Sequence, residues 1–464
     1  MVFSSFSFLL LFFPAVLLIY FLMPGIKGKN TVLCLASLLF YSWGEPLYLF
    51  LMLASVLINY LAGLGMERFA NRKKAILIAD VVFNVGALAF FKYTDFLIGN
   101  VNQLTGASIP PVGIALPLGI SFYTFQIMSY VIDVYRGQTK AQQNIILLTV
   151  YISLFPQLVA GPIVRYDTVE AELRERRTSL QDFGEGLSRF LYGLGKKVII
   201  ANQMALVADS VFDSAQTVPA GFMWLGIFAY ALQIYYDFSG YSDMAIGMGR
   251  IFGFHFDENF NYPYMADSVT DFWRRWHISL SGWFREYVYI PLGGNRRGQG
   301  RQILNMMVVW LLTGMWHGAS WNFVLWGVFY GVALVLEKTV LKNGLKRLPS
   351  VLKHGITLSV VLIGWAIFRA DGSGMLPVVL ERLFVSGSGT ARDFLTAHAD
   401  LLQTAVVLPA AIIGCFPLRD KLIGRFGGEK WFPALRYAGA LLIWLVSLGL
   451  LLGNTYNPFI YFRF

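Results

Sequence analysis

The chain has 464 residues, a formal net charge of +10, 56% hydrophobic residues and only 14% charged ones. Soluble domains carry about 25% charged residues. The composition therefore excludes a string of soluble domains, a disordered chain and a disulfide scaffold. On a chain this apolar the basic surplus belongs in cytoplasmic loops, and nucleic acid is not expected as a partner. Cys34 and Cys415 both sit in apolar runs and read as buried small hydrophobes; two isolated cysteines make neither a disulfide framework nor a metal cluster, and no metal is expected.

In chain order, apolar stretches approaching the length that crosses a bilayer fall at 6–22, 31–42, 47–64, 75–91, 112–134, 145–159, 187–207, 223–236, 303–315, 323–336, 356–367, 401–415 and 435–452. These roughly 11–13 segments predict an all-α polytopic integral membrane helical bundle, its shorter segments re-entrant, tilted or interfacial. The first stretch lacks a basic n-region and is followed by Lys27 and Lys29, so it reads as an uncleaved span with its N-terminus outside. Gly44-Glu45-Pro46 predicts a turn between 31–42 and 47–64. The basic flanks Lys27, Lys29, Arg68, Arg72, Lys73 and Lys74 make these a helical hairpin with both ends cytoplasmic. Arg136 and Lys140 predict a second hairpin from 75–91 and 112–134, joined by an external linker over 92–111.

Arg165, Arg174, Arg176 and Arg177 mark a further cytoplasmic segment. The stretch 145–159 thus lies between two basic loops, which predicts a re-entrant element ending in Val159-Ala160-Gly161-Pro162 rather than a full crossing. Residues 254–301 are too polar to span and too aromatic for an ordinary loop. There Trp273, Trp276, Trp283, Tyr287 and Tyr289 alternate with Arg274, Arg275 and Arg285, which predicts helices lying at or dipping into the interface. A second polar stretch, 371–399, reads as an extramembrane excursion.

Of the five histidines, His354 and His398 read as loop or helix-end residues and His255 as interfacial or structural. His317 differs. It sits in LLTGMWHG at 311–318, between two apolar runs. An ionisable group at membrane depth is costly, about 2.5–3.5 kcal/mol for Lys, Arg or Asp on insertion scales, and marks a functional site by default. Gly314 and Gly318 beside it allow close helix approach. An interhelical hydrogen bond is the plain alternative, and the residues alone leave both open. Read as one helix, 271–280 puts Trp273, Trp276, His277 and Leu280 on one face, an arrangement suited to an interfacial anchor. Asp237 and Asp243 close an apolar segment and are expected to pair structurally with nearby arginines. The loop RRGQGR at 296–301 offers cations and free amides to a phosphate, or is a plain positive-inside loop. The absence of Walker A, HExxH and GxSxG patterns removes support for ATP-driven transport, zinc proteolysis and α/β-hydrolase chemistry.

Several strings together resemble the membrane-bound O-acyltransferase (MBOAT) family, in its alginate O-acetyltransferase-like branch. They are MVFSSFSF at 1–8, LPLGISFY at 116–123, IDVYRG at 132–137, LVAGPI at 158–163 and YDFSGYSDMA at 236–245. FWRRWHISLS at 272–281, YIPLGGN at 289–295, GMWHGA at 314–319 and YFRF at 461–464 complete them. The resemblance covers nearly the whole chain, is densest over 235–326 and weakest over 371–431. It implies one polytopic domain, 1–464, with N-terminal helices over 1–165, an acyltransferase core over 166–340 and C-terminal helices over 341–464.

By the same resemblance, His317 stands at the place of the family's catalytic histidine and His277 at that of its second functional polar residue. The implied activity moves an acetyl group from a cytoplasmic thioester donor, acetyl-CoA or an acyl carrier, with no bound cofactor. It crosses the bacterial cytoplasmic (inner) membrane to an SGNH/GDSL-like extracytoplasmic partner, which delivers it to an exported polysaccharide, alginate or another. On that reading the His317 imidazole is the base, with an unperturbed pKa of about 6.5. His277 orients the donor or donates to the thioester oxygen, and an acetyl-histidine intermediate is also allowed. Arg274, Arg275, Arg296 and Arg297 are expected at the donor's phosphates, from charge and location. Two rival classes stand beside it: a proton-coupled transporter or flippase using Asp237, Asp243 and His317 as a relay, and a scaffold for an envelope complex. Neither consumes a thioester.

Overall fold

Helices account for the regular structure throughout, and among the described residues a single isolated bridge, Phe260 to Trp276, stands in place of any strand. The structure, a computed structural model, describes residues 1–370, 374–453 and 460. The terminal run 461–464 and the start of the polar stretch, 371–373, lie outside the described residues. Among the described residues, four helices are long and apolar enough to cross a membrane: Tyr48–Arg68, Ala70–Thr105, Ser350–Arg369 and Phe432–Gly453. Ser7–Leu22 and Thr404–Ile413 are shorter apolar helices. The chain divides into two compact units, Met1–Phe190 with Met244–Asp257, and Leu191–Asp243 with Glu258–Phe464.

The first unit carries α1 (Phe13–Leu22), α2 (Gly25–Ser42), α3 (Tyr48–Arg68), α4 (Lys73–Thr105), α5 (Ile120–Arg136), α6 (Ile145–Ser153), α7 (Phe155–Leu158) and α8 (Tyr166–Arg174). The turn predicted at Gly44-Glu45-Pro46 separates α2 from α3. The predicted linker over 92–111 is corrected, because α4 runs on through Lys92 and Asp95 to Thr105. Gly106 ends it with a φ of 71°, the left-handed conformation that closes many helices. The Asp95 carboxylate then takes the backbone N–H groups of Val112 and Gly113 at 2.7 and 3.1 Å, folding the true linker back onto the helix.

The stretch 145–159 is broken: Leu154 leaves helical geometry (φ −51°, ψ 111°) between α6 and α7, and Pro156 stands in the first turn of α7. The core of this unit is aromatic. Phe8 stacks on Phe13 at 5.6 Å, and Phe12 meets Phe155 edge-on at 5.4 Å.

The second unit begins in α9 (Leu180–Gly195), whose last residues lead through a π-helical turn, Lys196–Ala201, into α10 (Asn202–Asp213). Next come α11 (Ala220–Phe252), which belongs to this unit as far as Asp243, then α12 (Val269–Arg275), α13 (Ile278–Phe284), α14 (Gln299–His317), α15 (Trp321–Lys338), α16 (Lys342–Arg347) and α17 (Ser350–Arg369). The predicted segment 223–236 lies inside α11, which continues through Asp237 and Asp243. These two carboxylates pair with lysines, not arginines: Asp237 with Lys197 at 2.6 Å and Asp243 with Lys196 at 2.7 Å. Gly240 explains the choice. A Cβ there would come within 2.8 Å of the Gly193 carbonyl oxygen and 3.2 Å of the Lys197 nitrogen, so the two helices meet at backbone distance and the π-turn lysines face α11.

A second close approach locks α14 to α15. A Cβ on Gly314 would strike the Phe323 carbonyl oxygen, and one on Gly327 the Trp310 carbonyl oxygen. Gly314 beside His317 thus makes the close helix approach expected of it, whereas Gly318 faces the Phe323 ring.

Candidate active site

The aromatic–basic segment folds as two short helices around a break. Ser268 caps α12 by accepting the Asp271 N–H at 3.1 Å, and the Glu337 carboxylate takes the N–H groups of Val269 and Thr270 at 2.7 and 3.1 Å. The helix ends at Arg275, Trp276 is extended, and His277 adopts φ 46° and ψ 55°. That left-handed conformation is rare outside glycine and clusters at functional sites. The expectation of one helical face through Trp273, Trp276, His277 and Leu280 is therefore corrected. A backbone ladder diverts the chain: Asn261 N–H bonds to Arg275 O at 2.9 Å, and Ile278 N–H to Asn259 O at 3.0 Å. Phe260 meets Trp276 edge-on at 5.1 Å across the bridge.

His277 is 2% exposed, a buried residue rather than an interfacial anchor. Its ring stands edge-on to Phe238 at 4.6 Å, and its Nδ1 lies 3.2 Å from Asn259 Oδ1. Burial pushes its pKa down from 6.5 to about 3, so the imidazole is neutral at physiological pH. His317 closes α14 and is also buried. Its ring packs edge-on against Trp326 at 5.0 Å and Phe368 at 5.2 Å. Both histidines line one cavity of about 250 Å³, walled by Trp273, Trp276 and Trp310.

Three cations line the same cavity: Arg274 on α12, Arg285 just after α13 and Lys338 at the end of α15. Arg274 is the one expected donor contact found there. Arg275 is held by Asp271 at 2.8 Å, while Arg296 and Arg297 are exposed in the turn before α14 and do not line the cavity. Nor do Asp237 and Asp243, which are engaged by their lysines. Sequence reading missed Lys338 and Asn259. Neither stands out locally, since one ends an apolar helix and the other is an ordinary asparagine until the bridge sets it beside His277. The remaining histidines lie elsewhere: His255 pairs with Glu172 at 2.7 Å, and His354 and His398 bond to the backbone oxygens of Ala266 and Phe394.

Among the described residues, no carboxylate or thiol lines the cavity. The two imidazoles are groups able to accept a proton there, and an anionic group would be met by the three cations. A proton-accepting centre next to a cationic mouth suits acyl transfer from an anionic donor.

The model of the family described as MBOAT, membrane-bound O-acyltransferase, matches residues 141–346, a span that holds Asn259, His277 and His317. The protein named Probable alginate O-acetylase AlgI in Pseudomonas aeruginosa is 41% identical over 90% of this chain and 82% of its own length. Peptidoglycan O-acetyltransferase of Helicobacter pylori is 36% identical over 100% of this chain and 98% of its own. Teichoic acid D-alanyltransferase of Bacillus subtilis is 28% identical over 56% of this chain and 70% of its own. With such relatives matched across most of their length, this multi-pass membrane protein belongs to the membrane-bound O-acyltransferase family and is an O-acyltransferase.

Proposed function

We propose that the protein takes an acetyl group from a cytoplasmic thioester, acetyl-CoA or an acyl carrier, and passes it across the bacterial cytoplasmic membrane for O-acetylation of an exported polysaccharide. An SGNH/GDSL-like extracytoplasmic partner receives it there. The activities for which two relatives are named support the acetyl group and a carbohydrate-polymer acceptor, alginate in one and peptidoglycan in the other. The observation that carries the reading is the pair of enclosed histidines, His277 and His317, on one cavity with a cationic rim.

In the chemical step His317 takes the proton of the acceptor hydroxyl as its oxygen attacks the thioester carbonyl. The new C–O bond forms, the C–S bond breaks, and the proton passes to the leaving thiolate. General-base assistance of this kind contributes about 10²–10⁴-fold. Arg274, Arg285 and Lys338 hold the donor's anionic end while the thioester reaches inward. The same site permits an acetyl-His317 intermediate, which would leave label on the protein.

The test uses purified protein in nanodiscs with radiolabelled acetyl-CoA, wild type against His317→Ala at equal amounts, with and without the partner. Thioester loss that disappears in the variant supports the reading. Wild-type protein that consumes no thioester even with the partner present would sink it, and would favour a transporter or scaffold.

A further inference from the structure

Asn259 is fully buried and makes an unusual number of directed contacts for one side chain. Its Oδ1 receives the backbone N–H of Ser279 at 3.2 Å and the Ser279 hydroxyl at 2.9 Å. Its Nδ2 donates to Ser242 Oγ on α11 at 3.1 Å. Its backbone oxygen holds Ile278 N–H across the bridge. The amide is thus pinned from both ends, and its orientation follows from chemistry. A backbone N–H can only donate, so the atom facing Ser279 N is an oxygen. That same oxygen is 3.2 Å from His277 Nδ1. A carbonyl oxygen only accepts, so Nδ1 must carry the proton. A neutral imidazole has one N–H, which leaves Nε2 bare. Nε2 is buried and, among the described residues, has no hydrogen-bond partner, although His277 lines the cavity.

We propose that Asn259 is a positioning residue that holds His277 as its Nδ1–H tautomer, so that the lone pair on Nε2 is the group His277 offers to substrate. The inference rests on the functional reading above, in which His277 takes part in acyl transfer. It changes the role open to His277. A bare Nε2 accepts a hydrogen bond from a substrate donor and so orients it beside His317; it does not donate to the thioester oxygen. Oxyanion stabilisation then falls to another donor of the cavity. The left-handed backbone at His277 serves the same end, because it turns the ring back onto the asparagine that precedes it by 18 residues.

The other ionisable groups lining this cavity are His317 on α14, Arg274 on α12, Arg285 and Tyr289 after α13, and Lys338 on α15. Phe238 on α11 and Trp316 on α14 are the rings packed on His277.

The tautomer is read without any assay of activity. Protein labelled with ¹⁵N-histidine, reconstituted in lipid, is compared with the His277→Gln variant to assign the His277 ring nitrogens by solid-state NMR. The expected spectrum shows a neutral ring protonated at Nδ1. Asn259→Leu loses that signature, and thioester turnover falls by roughly 10²-fold. Asn259→Asp keeps an acceptor at Nδ1 and retains turnover. Its carboxylate stabilises the imidazolium, so the acid limb of the pH profile moves to higher pH, a shift that a purely structural role would not produce. A wild-type ring protonated at Nε2, or an unchanged tautomer in Asn259→Leu, overturns the proposal and leaves the acyltransfer reading standing. Wild-type turnover in His277→Gln overturns the part given to His277 in acyl transfer, and the proposal with it, while the acyltransfer reading itself stands. Should Asn259→Leu fail to accumulate, the wild-type spectrum and the Asn259→Asp pH profile decide the matter.

Discussion

The His317 imidazole stands edge-on to the indole of Trp326, ring centroids 5.0 Å apart and planes 81° to one another. Trp326 is fully buried and touches Trp273 and Tyr330 as well, so the ring that orients His317 is itself held by the aromatic wall of the cavity. Trp326→Leu should therefore lower kcat for thioester consumption by roughly 10²-fold, as a small misplacement of a reacting group can. The KM for acetyl-CoA should change much less. Steady-state kinetics in nanodiscs check the split; an unchanged kcat would mean that Trp326 does not position His317.

The cationic rim makes a different prediction. Arg285→Gln or Lys338→Gln removes a charge from the cavity mouth, and a lost charge-assisted hydrogen bond costs about 1.5–3 kcal/mol. The KM for acetyl-CoA should rise about tenfold or more in each, with kcat nearly kept. Arg296→Gln and Arg297→Gln, at exposed positions away from the cavity, should leave KM within about twofold. Equal effects in all four variants would remove the rim's claim on the donor.

Lys197 and Asp237 pair at 2.6 Å with side chains only 3% and 2% exposed, and Asp237 also accepts the Ile460 N–H at 2.9 Å. Removing one partner of a buried pair leaves an uncompensated charge and costs about 3–5 kcal/mol. Lys197→Met should fall sharply in thermal stability in detergent. Lys197→Met combined with Asp237→Asn should recover much of it, because the amide oxygen still accepts from Ile460 and no charge is stranded. A double variant no more stable than the single one would show that the pair's charge is not the issue.

The buried, neutral His277 links stability to pH. Its folded pKa of about 3 lies below the ordinary 6.5, so between those values the unfolded chain binds the proton that the folded one refuses. Its contribution is present in full above about pH 6.5 and is lost progressively as pH falls toward 3. Wild-type protein should lose thermal stability relative to His277→Gln across that window. Parallel melting-temperature curves for the two proteins would contradict the burial argument.

Much of the outline was legible in the residues. The charge deficit and apolar stretches determine a helical membrane protein, because a bilayer leaves backbone groups no partner but their own helix. Gly44-Glu45-Pro46 marks a real turn, and Gly314 beside His317 marks a real backbone contact. His317 is conspicuous in the sequence as an imidazole between apolar runs, and the structure places it on the cavity. Tertiary structure alone decided the rest. The break at His277 depends on a bridge to Phe260, 16 residues upstream of Trp276, which helical periodicity cannot register. The lysine partners of Asp237 and Asp243 depend on how closely Gly240 lets two helices approach. The cationic rim gathers Arg285 and Lys338 from separate elements, while Arg296 and Arg297, the more prominent charges in the sequence, face outward. Local sequence determines whether a segment is helical and apolar. Which polar side chains meet is set by long-range packing, whose contacts lie far apart along the chain.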